Sequence, residues 1–340
     1  MTGKNDDATV NIAVVGATGL VGSAVLEHLS DSEIPTGQVY ALASDNSEAE
    51  FVDFSKRSLS VHPVSEFDFK QVQLCFFCVP AEVAAEYLPA ATKAGCYCID
   101  FSTCSRLDDK VPLIVSGVNE KDLQELDGRI VASPDSSIVH LAQILAPLKE
   151  LGVIERVNAT MMRAVSEMGR KGIDELSQQS IALFNLKPIK HEHFLAQIAF
   201  NVLPHVCHAQ ANNQLIDDLQ SELAKVMHDA ALLLNTSLIS APVFYGHSMM
   251  LQLEFSQDVD VARVTHLLAT DSDLHCTNKQ INRPDSVSDA VNQKGVYLGC
   301  VRQDTTWQNG INLWAVADNI HQGAAINGVQ IGEILVKSYL

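Results

Sequence analysis

Three features of the sequence predict a chain in two parts, an α/β unit followed by an α+β unit with a mostly antiparallel sheet. The chain opens on an apolar run, a glycine-rich turn and an amphipathic segment, "VNIAVVGATGLVGSAVLEHLSD". Runs fit for buried strands then alternate with helical segments over roughly the first 130 residues. After that the alternation lapses, and long amphipathic segments and strand-like runs follow without regular interleaving. With 340 residues, 47% of them hydrophobic, the chain is long enough for two cores.

The elements follow in order. "NIAVV" is a β-branched run suited to a central parallel strand, and "SAVLEHL" after it carries apolar residues at helical spacing. Between them stand Gly16, Gly19 and Gly22. Glycines are needed where the chain turns tightly and where its backbone approaches a pyrophosphate at the positive end of a helix. Strand, glycine turn and helix together predict a Rossmann-type dinucleotide-binding domain. "QVYALAS", "LCFFCVP" and "CYCIDFS" read as further strands, and "AEVAAEYLPAATKAG" as a helix ending at Gly95. Beyond residue 130, "VNATMMRAVS", "APVFYGHSMMLQLEF" and "GVYLGCVRQD" read as strands. "KGIDELSQQSIALFNL" and "LIDDLQSELAKVMHDAALLLN" read as long helices, and a last helix starts near Gly323.

Charge excludes some functions. Lys plus Arg number 23 against 41 Asp plus Glu, a formal net charge of −18, which repels nucleic acid and anionic membrane alike. The start, "MTGKNDDATV", is polar and acidic rather than a basic region followed by an apolar run. Segments such as "LCFFCV" and "AALLL" fall short of the roughly 20 apolar residues that a span needs. A soluble, cytoplasmic chain is expected. The eight cysteines lie mostly in apolar runs, as small buried hydrophobes do in a reducing compartment. Cys75 and Cys78 form a C-x-x-C, but no second pair stands at zinc spacing, so no metal or redox role is assigned. His191 and His193, read as a strand with Glu192 on its other face, and His205 and His208 are expected to form a solvated or interface patch, not a metal site.

Seven motifs carry a resemblance. "GATGLVG", "IDFSTCSRLDDKVPLIVSGVN", "SPDSS", "LFN", "AFNVLPH", "VFYGHS" and "ADNIHQGAAINGVQI" occur in this order over nearly the whole chain. Together they resemble the aspartate-β-semialdehyde dehydrogenase family, and within it the Usg-type paralogues. The resemblance implies an NADP-binding Rossmann domain over 1–130, completed by a C-terminal helix over 322–340. It implies a second domain over 131–321 that carries the active site and a homodimer interface. The family reaction is the phosphate-dependent, reversible oxidation of aspartate semialdehyde to aspartyl phosphate. A cysteine thiolate adds to the aldehyde, hydride leaves for the nicotinamide, and phosphate attacks the thioester.

Carried onto this chain, the resemblance implies nucleotide contacts from Gly16, Thr18, Gly19, Leu20, Val21, Gly22 and Ser44. It makes His247 the acid/base and Arg106 the phosphate-binding arginine. Other positions depart from it. The nucleophile position holds Ser136, preceded by Asp135 where the family has Asn, and a hydroxyl needs an organised base where a thiol does not. Asp135 also sets a carboxylate where substrate anions should gather. Arg163 stands for a glutamine, Ser240 for the substrate-carboxylate arginine, and Gln220 near a phosphate-side lysine. Asp45, Glu48 and Glu50 stand where the family carries Arg and Ser for the 2′-phosphate, which favours NAD over NADP.

The expected function is therefore a catalytically inactive or weakened paralogue that keeps the fold, with Ser136 a helix-capping residue. One alternative is an NAD(P)-dependent dehydrogenase or reductase on a changed substrate, with Arg163 supplying the anion contact that Ser240 lacks. Another is a serine hydrolase using Ser136 and His247, though no G-x-S-x-G elbow presents the serine. Expected partners are a nucleotide, aspartate semialdehyde or phosphate, and a second copy of the chain or an active paralogue.

Overall fold

A computed structural model describes residues 9–45, 50–204, 209–276 and 283–340. The chain divides into two compact units, one reaching Pro134 and taking back Ala324–Leu340, the other Asp135–Gly323.

The first unit contains β1 (Val10–Val15), α1 (Leu20–Ser30), β2 (Thr36–Ala43), β3 (Phe51–Phe54), β4 (Arg57–Pro63), β5 (Leu74–Phe77), α2 (Ala81–Ala94), β6 (Tyr97–Asp100) and β7 (Ile130–Ala132). They form one sheet in the order β3-β4-β2-β1-β5-β6-β7. All neighbours are parallel except the edge hairpin β3–β4. β1 and β5 are buried almost throughout, as strands covered on both faces must be. Because β2 and β5 flank β1 on opposite sides, the strand order reverses there and leaves a crevice at the strands' carboxyl ends. Ala13, Val15, Leu42, Phe77 and Leu88 belong to the core on one side. The final helix of the chain, Asn327–Tyr339, belongs to this unit. Asn327 anchors it by donating to the Ile114 carbonyl and Ser133 Oγ, and accepting from the Ser116 amide.

The second unit contains α3 (Ser136–Leu148), β8 (Ile154–Ala164), α4 (Arg170–Phe184), β9 (Leu203–Pro204), α5 (Ala209–Met227), β10 (Leu233–Ala241), β11 (His247–Phe255), α6 (Val261–Thr270), β12 (Leu274–Cys276), β13 (Val296–Gln303) and β14 (Gly310–Ala317). The sheet order is β12-β13-β14-β11-β8-β10-β9, mostly antiparallel, with β8–β10 and β12–β13 parallel. α3 is apolar nearly all round, and Ile138, Leu141, Ile144 and Leu145 are fully buried, each contributing about 2 kcal/mol by removal from water. It packs against α5 and α6.

Three sequence expectations are corrected. The helix expected to run through "AALLLN" stops at Met227, His228 takes a positive φ of 51°, and β10 begins at Leu233 with alternating burial. An apolar run of that length fits either a helix or a strand, and sheet pairing decided it. The strand expected from Ala241 begins only at His247, because Gly246 turns the chain at φ 83° and a Cβ there would lie 2.8 Å from the Ser286 carbonyl oxygen. The last helix does begin near Gly323, as the π-helix His321–Ile326 that runs directly into the α-helix Asn327–Tyr339. His191 and His193 are exposed on an irregular segment rather than on a strand, since Glu175 accepts from the His193 amide that a ladder would use.

His205, His208 and Glu48 lie outside the described residues. Among the described residues no three His, Cys, Asp or Glu gather as a metal site, and no helix is long and apolar enough to cross a membrane. Cys75 sits in the core, where burial first, then the neighbouring Cys96 and Cys98, raises its thiol pKa; Cys78 lies beyond the strand end.

Candidate active and nucleotide sites

In the first unit the glycine turn has its physical cause in close approach. Gly16 has φ 84°, and a Cβ there would stand 2.3 Å from the Cys78 carbonyl oxygen. The Gly19 amide donates to the Gly16 carbonyl at 3.0 Å, closing the turn. Thr18, Gly19, Leu20, Val21 and Gly22 form the turn and the first residues of α1, whose N-terminus has no side-chain cap. Gly16 and Ser44 also line a cavity of about 380 Å³ together with Asp45, Ser65, Glu86 and Tyr87. A backbone cradle that a side chain would fill, beside an uncapped helix end, fits the pyrophosphate of a dinucleotide. Arg106 is held in this unit by two main-chain carbonyls, its Nε donating to Ser133 at 3.0 Å and its Nη2 to Phe101 at 2.7 Å.

In the second unit the candidate residues gather at the start of α3 and the adjoining strand ends. Asp135, not Ser136, is the cap of α3: its Oδ1 accepts from the Ser137 amide at 2.8 Å, and Ser136 is the first helical residue. A carboxylate reaches the amide two residues on, so the expectation for Ser136 was displaced by one position. The Asp135 amide donates to Glu222 on α5 at 2.7 Å. Arg163, at the end of β8 with its side chain 3% exposed, sets Nη2 2.7 Å from Asp135 Oδ2 and Nε 2.5 Å from Glu167 Oε2. Its guanidinium is thus ion-paired within the chain, while Nε and Nη1 are buried with no hydrogen bond of good geometry, so Nη1 keeps a donor that a further anion could use. Glu167 keeps 22% side-chain exposure. Burial and the neighbouring Asp135 push its pKa up to about 7 against the pull of Arg163.

Ser240 is the direct register partner of Arg163 across the parallel pair β10–β8, so both side chains leave the same sheet face. Gln220 is structural: it donates to the Leu232 carbonyl and accepts from the Leu234 amide, tying α5 to the start of β10. His247 is 1% exposed, and its Nδ1 accepts from the Ala164 amide at 3.1 Å. That bond places the ring hydrogen of the neutral imidazole on Nε2. Asn319 steadies the approach to it, accepting from the Gly246 amide and pairing with Ser166 Oγ.

Sequence reasoning missed His140, Glu167 and Glu222. His140 lies one helical turn after Ser136 and is fully buried, with no hydrogen bond of acceptable geometry at either ring nitrogen. Burial pushes it down to about 4, opposed by Asp318 and Asp135. A Cβ on Gly323 would lie 2.6 Å from Ser136 Cβ and 2.8 Å from His140 Nε2, so only glycine lets that segment approach. One signal was present for Glu222: it occupies the buried stripe of α5 defined by Leu219, Leu223 and Val226.

A glycine-turn nucleotide unit joined to a mostly antiparallel unit with an enclosed histidine and arginine defines a class of two-domain dehydrogenases. The family models described as "Semialdehyde dehydrogenase, NAD binding domain" and "Semialdehyde dehydrogenase, dimerisation domain" match residues 11–126 and 145–322. Aspartate-semialdehyde dehydrogenase 2 of Vibrio cholerae is 36% identical over 332 residues, 97% of this chain and 98% of that protein. This chain belongs to the aspartate-semialdehyde dehydrogenase family. The USG-1 protein homolog of Pseudomonas aeruginosa is 34% identical over 333 residues, 97% of this chain and 99% of that one. Among solved structures, aspartate semialdehyde dehydrogenase II from Vibrio cholerae, complexed with ASA, matches with a TM-score of 0.94 and 35% identity, over 98% of this chain and 100% of that one.

Proposed function

We propose that the chain is a cytoplasmic, homodimeric member of its family that binds NAD or NADP but has given up covalent semialdehyde chemistry. The observation that carries this reading is the 2.7 Å pair between Arg163 and Asp135, beside Ser136 at the start of α3. At Nη2 of Arg163 a substrate carboxylate competes with one tethered to the chain. Ser136 needs a base, and His247 in its present tautomer donates from Nε2 while its acceptor nitrogen is already engaged by Ala164. The same tautomer argues against the serine hydrolase. A nicotinamide, when bound, would supply a hydride acceptor, and the glycine turn would hold its nucleotide.

The test is the phosphate-dependent change in nicotinamide absorbance when the purified dimer meets aspartate semialdehyde with NADP or NAD. No change is expected, while turnover of about 1–1000 per second, the range of working enzymes, overturns the proposal. Ser136→Cys combined with Asp135→Asn is expected to restore phosphate-dependent turnover.

A second reading has its own observation. Arg163 and Ser240 are register partners, so an arginine on β8 stands beside the position where the resemblance puts one on β10. That arrangement suits a dehydrogenase or reductase on an altered anionic substrate. Failure of the purified protein to bind either nucleotide ends it.

A further inference from the structure

The cavity beside the glycine turn has a chemical sign. Val64, Val79 and Val83 line it, and among the described residues its charged lining residues are Asp45 and Glu86, with no lysine, arginine or histidine. Asp45 is fixed in place, since Ser65 Oγ donates to its Oδ1 at 2.9 Å. Glu86 arrives from α2, where Val83, Glu86 and Tyr87 share one face at helical spacing. Burial, then a hydrogen bond to Glu86, then the charges of Glu86 and Asp45 raise the Tyr87 phenol above its usual value. Both carboxylates therefore lie around one hydroxyl at this cavity.

We propose that this unit selects a dinucleotide whose adenosine ribose is unphosphorylated, NAD over NADP, and that Asp45 and Glu86 act together as the selecting residues. The inference rests on reading the unit as a nucleotide binder and deepens it. An acidic residue after the second strand accepts from a ribose 2′-hydroxyl. A 2′-phosphate replaces that donor by a group of nearly two negative charges, next to two carboxylates and, among the described residues, no lining cation. Glu86, which the glycine turn and its following loop do not predict, makes the exclusion two-sided. Ser65 prevents Asp45 from simply turning away.

The experiment is calorimetric titration of the full-length protein with NAD and with NADP, which differ only in the 2′-phosphate. NAD is expected to bind at least about tenfold tighter. In the double variant Asp45→Ser, Glu86→Gln the ratio is expected to fall to near one or reverse, with an unchanged melting temperature because both residues are exposed. Equal or tighter binding of NADP by the unaltered protein, or an unchanged ratio in the double variant, overturns the proposal. Binding of neither nucleotide overturns it along with the nucleotide-binding part of the proposed function. Turnover of aspartate semialdehyde overturns the loss of covalent chemistry and leaves the NAD-to-NADP ratio to stand or fall by itself.

Discussion

The N-termini of α1 and α3 begin alike in electrostatic terms and are finished in opposite ways. Both present the positive end of a helix. α1 starts from Gly19 with no side-chain cap. α3 starts from Asp135, whose carboxylate accepts from the Ser137 amide and pairs with Arg163, while Glu222 takes the Asp135 amide. One end is left without a side-chain cap, and the other meets an anion supplied by its own chain. The residue before a helix therefore decides whether its positive end is a binding site or a structural joint.

The largest effect is expected where the joint loses its cation. Arg163→Met leaves Asp135, Glu167 and Glu222 without their common partner, and a stability loss of about 3–5 kcal/mol is expected by chemical denaturation. A loss under about 1 kcal/mol would break the contrast, because the cluster would then not hold α3 in place.

His140 gives the next effect and sharpens the contrast through pH. Its pKa falls from the ordinary 6.5 to about 4 on folding, so the neutral form is the folded one. Its stabilising contribution is whole above pH 6.5 and is lost as pH falls toward 4, about 3 kcal/mol in all. Stability curves of the unaltered protein and His140→Gln measured between pH 8 and 4 should converge on acidification. Parallel curves would mean that the imidazole is not held neutral.

The smallest stability effect belongs to Asp135→Asn. Asn caps as well as Asp, and Glu167 still neutralises Arg163, so the cost is about 1 kcal/mol. Its informative readout is binding: inorganic phosphate should bind at least about tenfold tighter than to the unaltered protein, with nucleotide affinity at α1 unchanged. No gain in phosphate affinity would show that something other than Asp135 closes the end of α3.

The same contrast explains what was legible in the sequence. The glycine turn was readable because its requirement is local: Gly16 must approach the Cys78 carbonyl, and only one residue type can. The positions Ser136, Arg163, Ser240 and His247 were readable as departures from or matches to a motif. Their partners were not, because the pairing of Arg163 with Asp135 and Glu167, and of Asp135 with Glu222, depends on how β8, α3 and α5 pack. The register that sets Ser240 beside Arg163 likewise exists only in the sheet. The edge hairpin β3–β4 passed unread because its half-exposed strands interrupt their apolar residues with Asp53, Ser58, Ser60 and His62.

The close approach of Gly323 to Ser136 means that residues 135–323 begin and end side by side. A fold whose entry and exit are neighbours can be spliced into a loop of another without a long connector. A recombination at those two neighbouring joints would exchange all of α3, β8 and β11 at once. The glycine turn, encoded outside that stretch, would pass through such an exchange untouched.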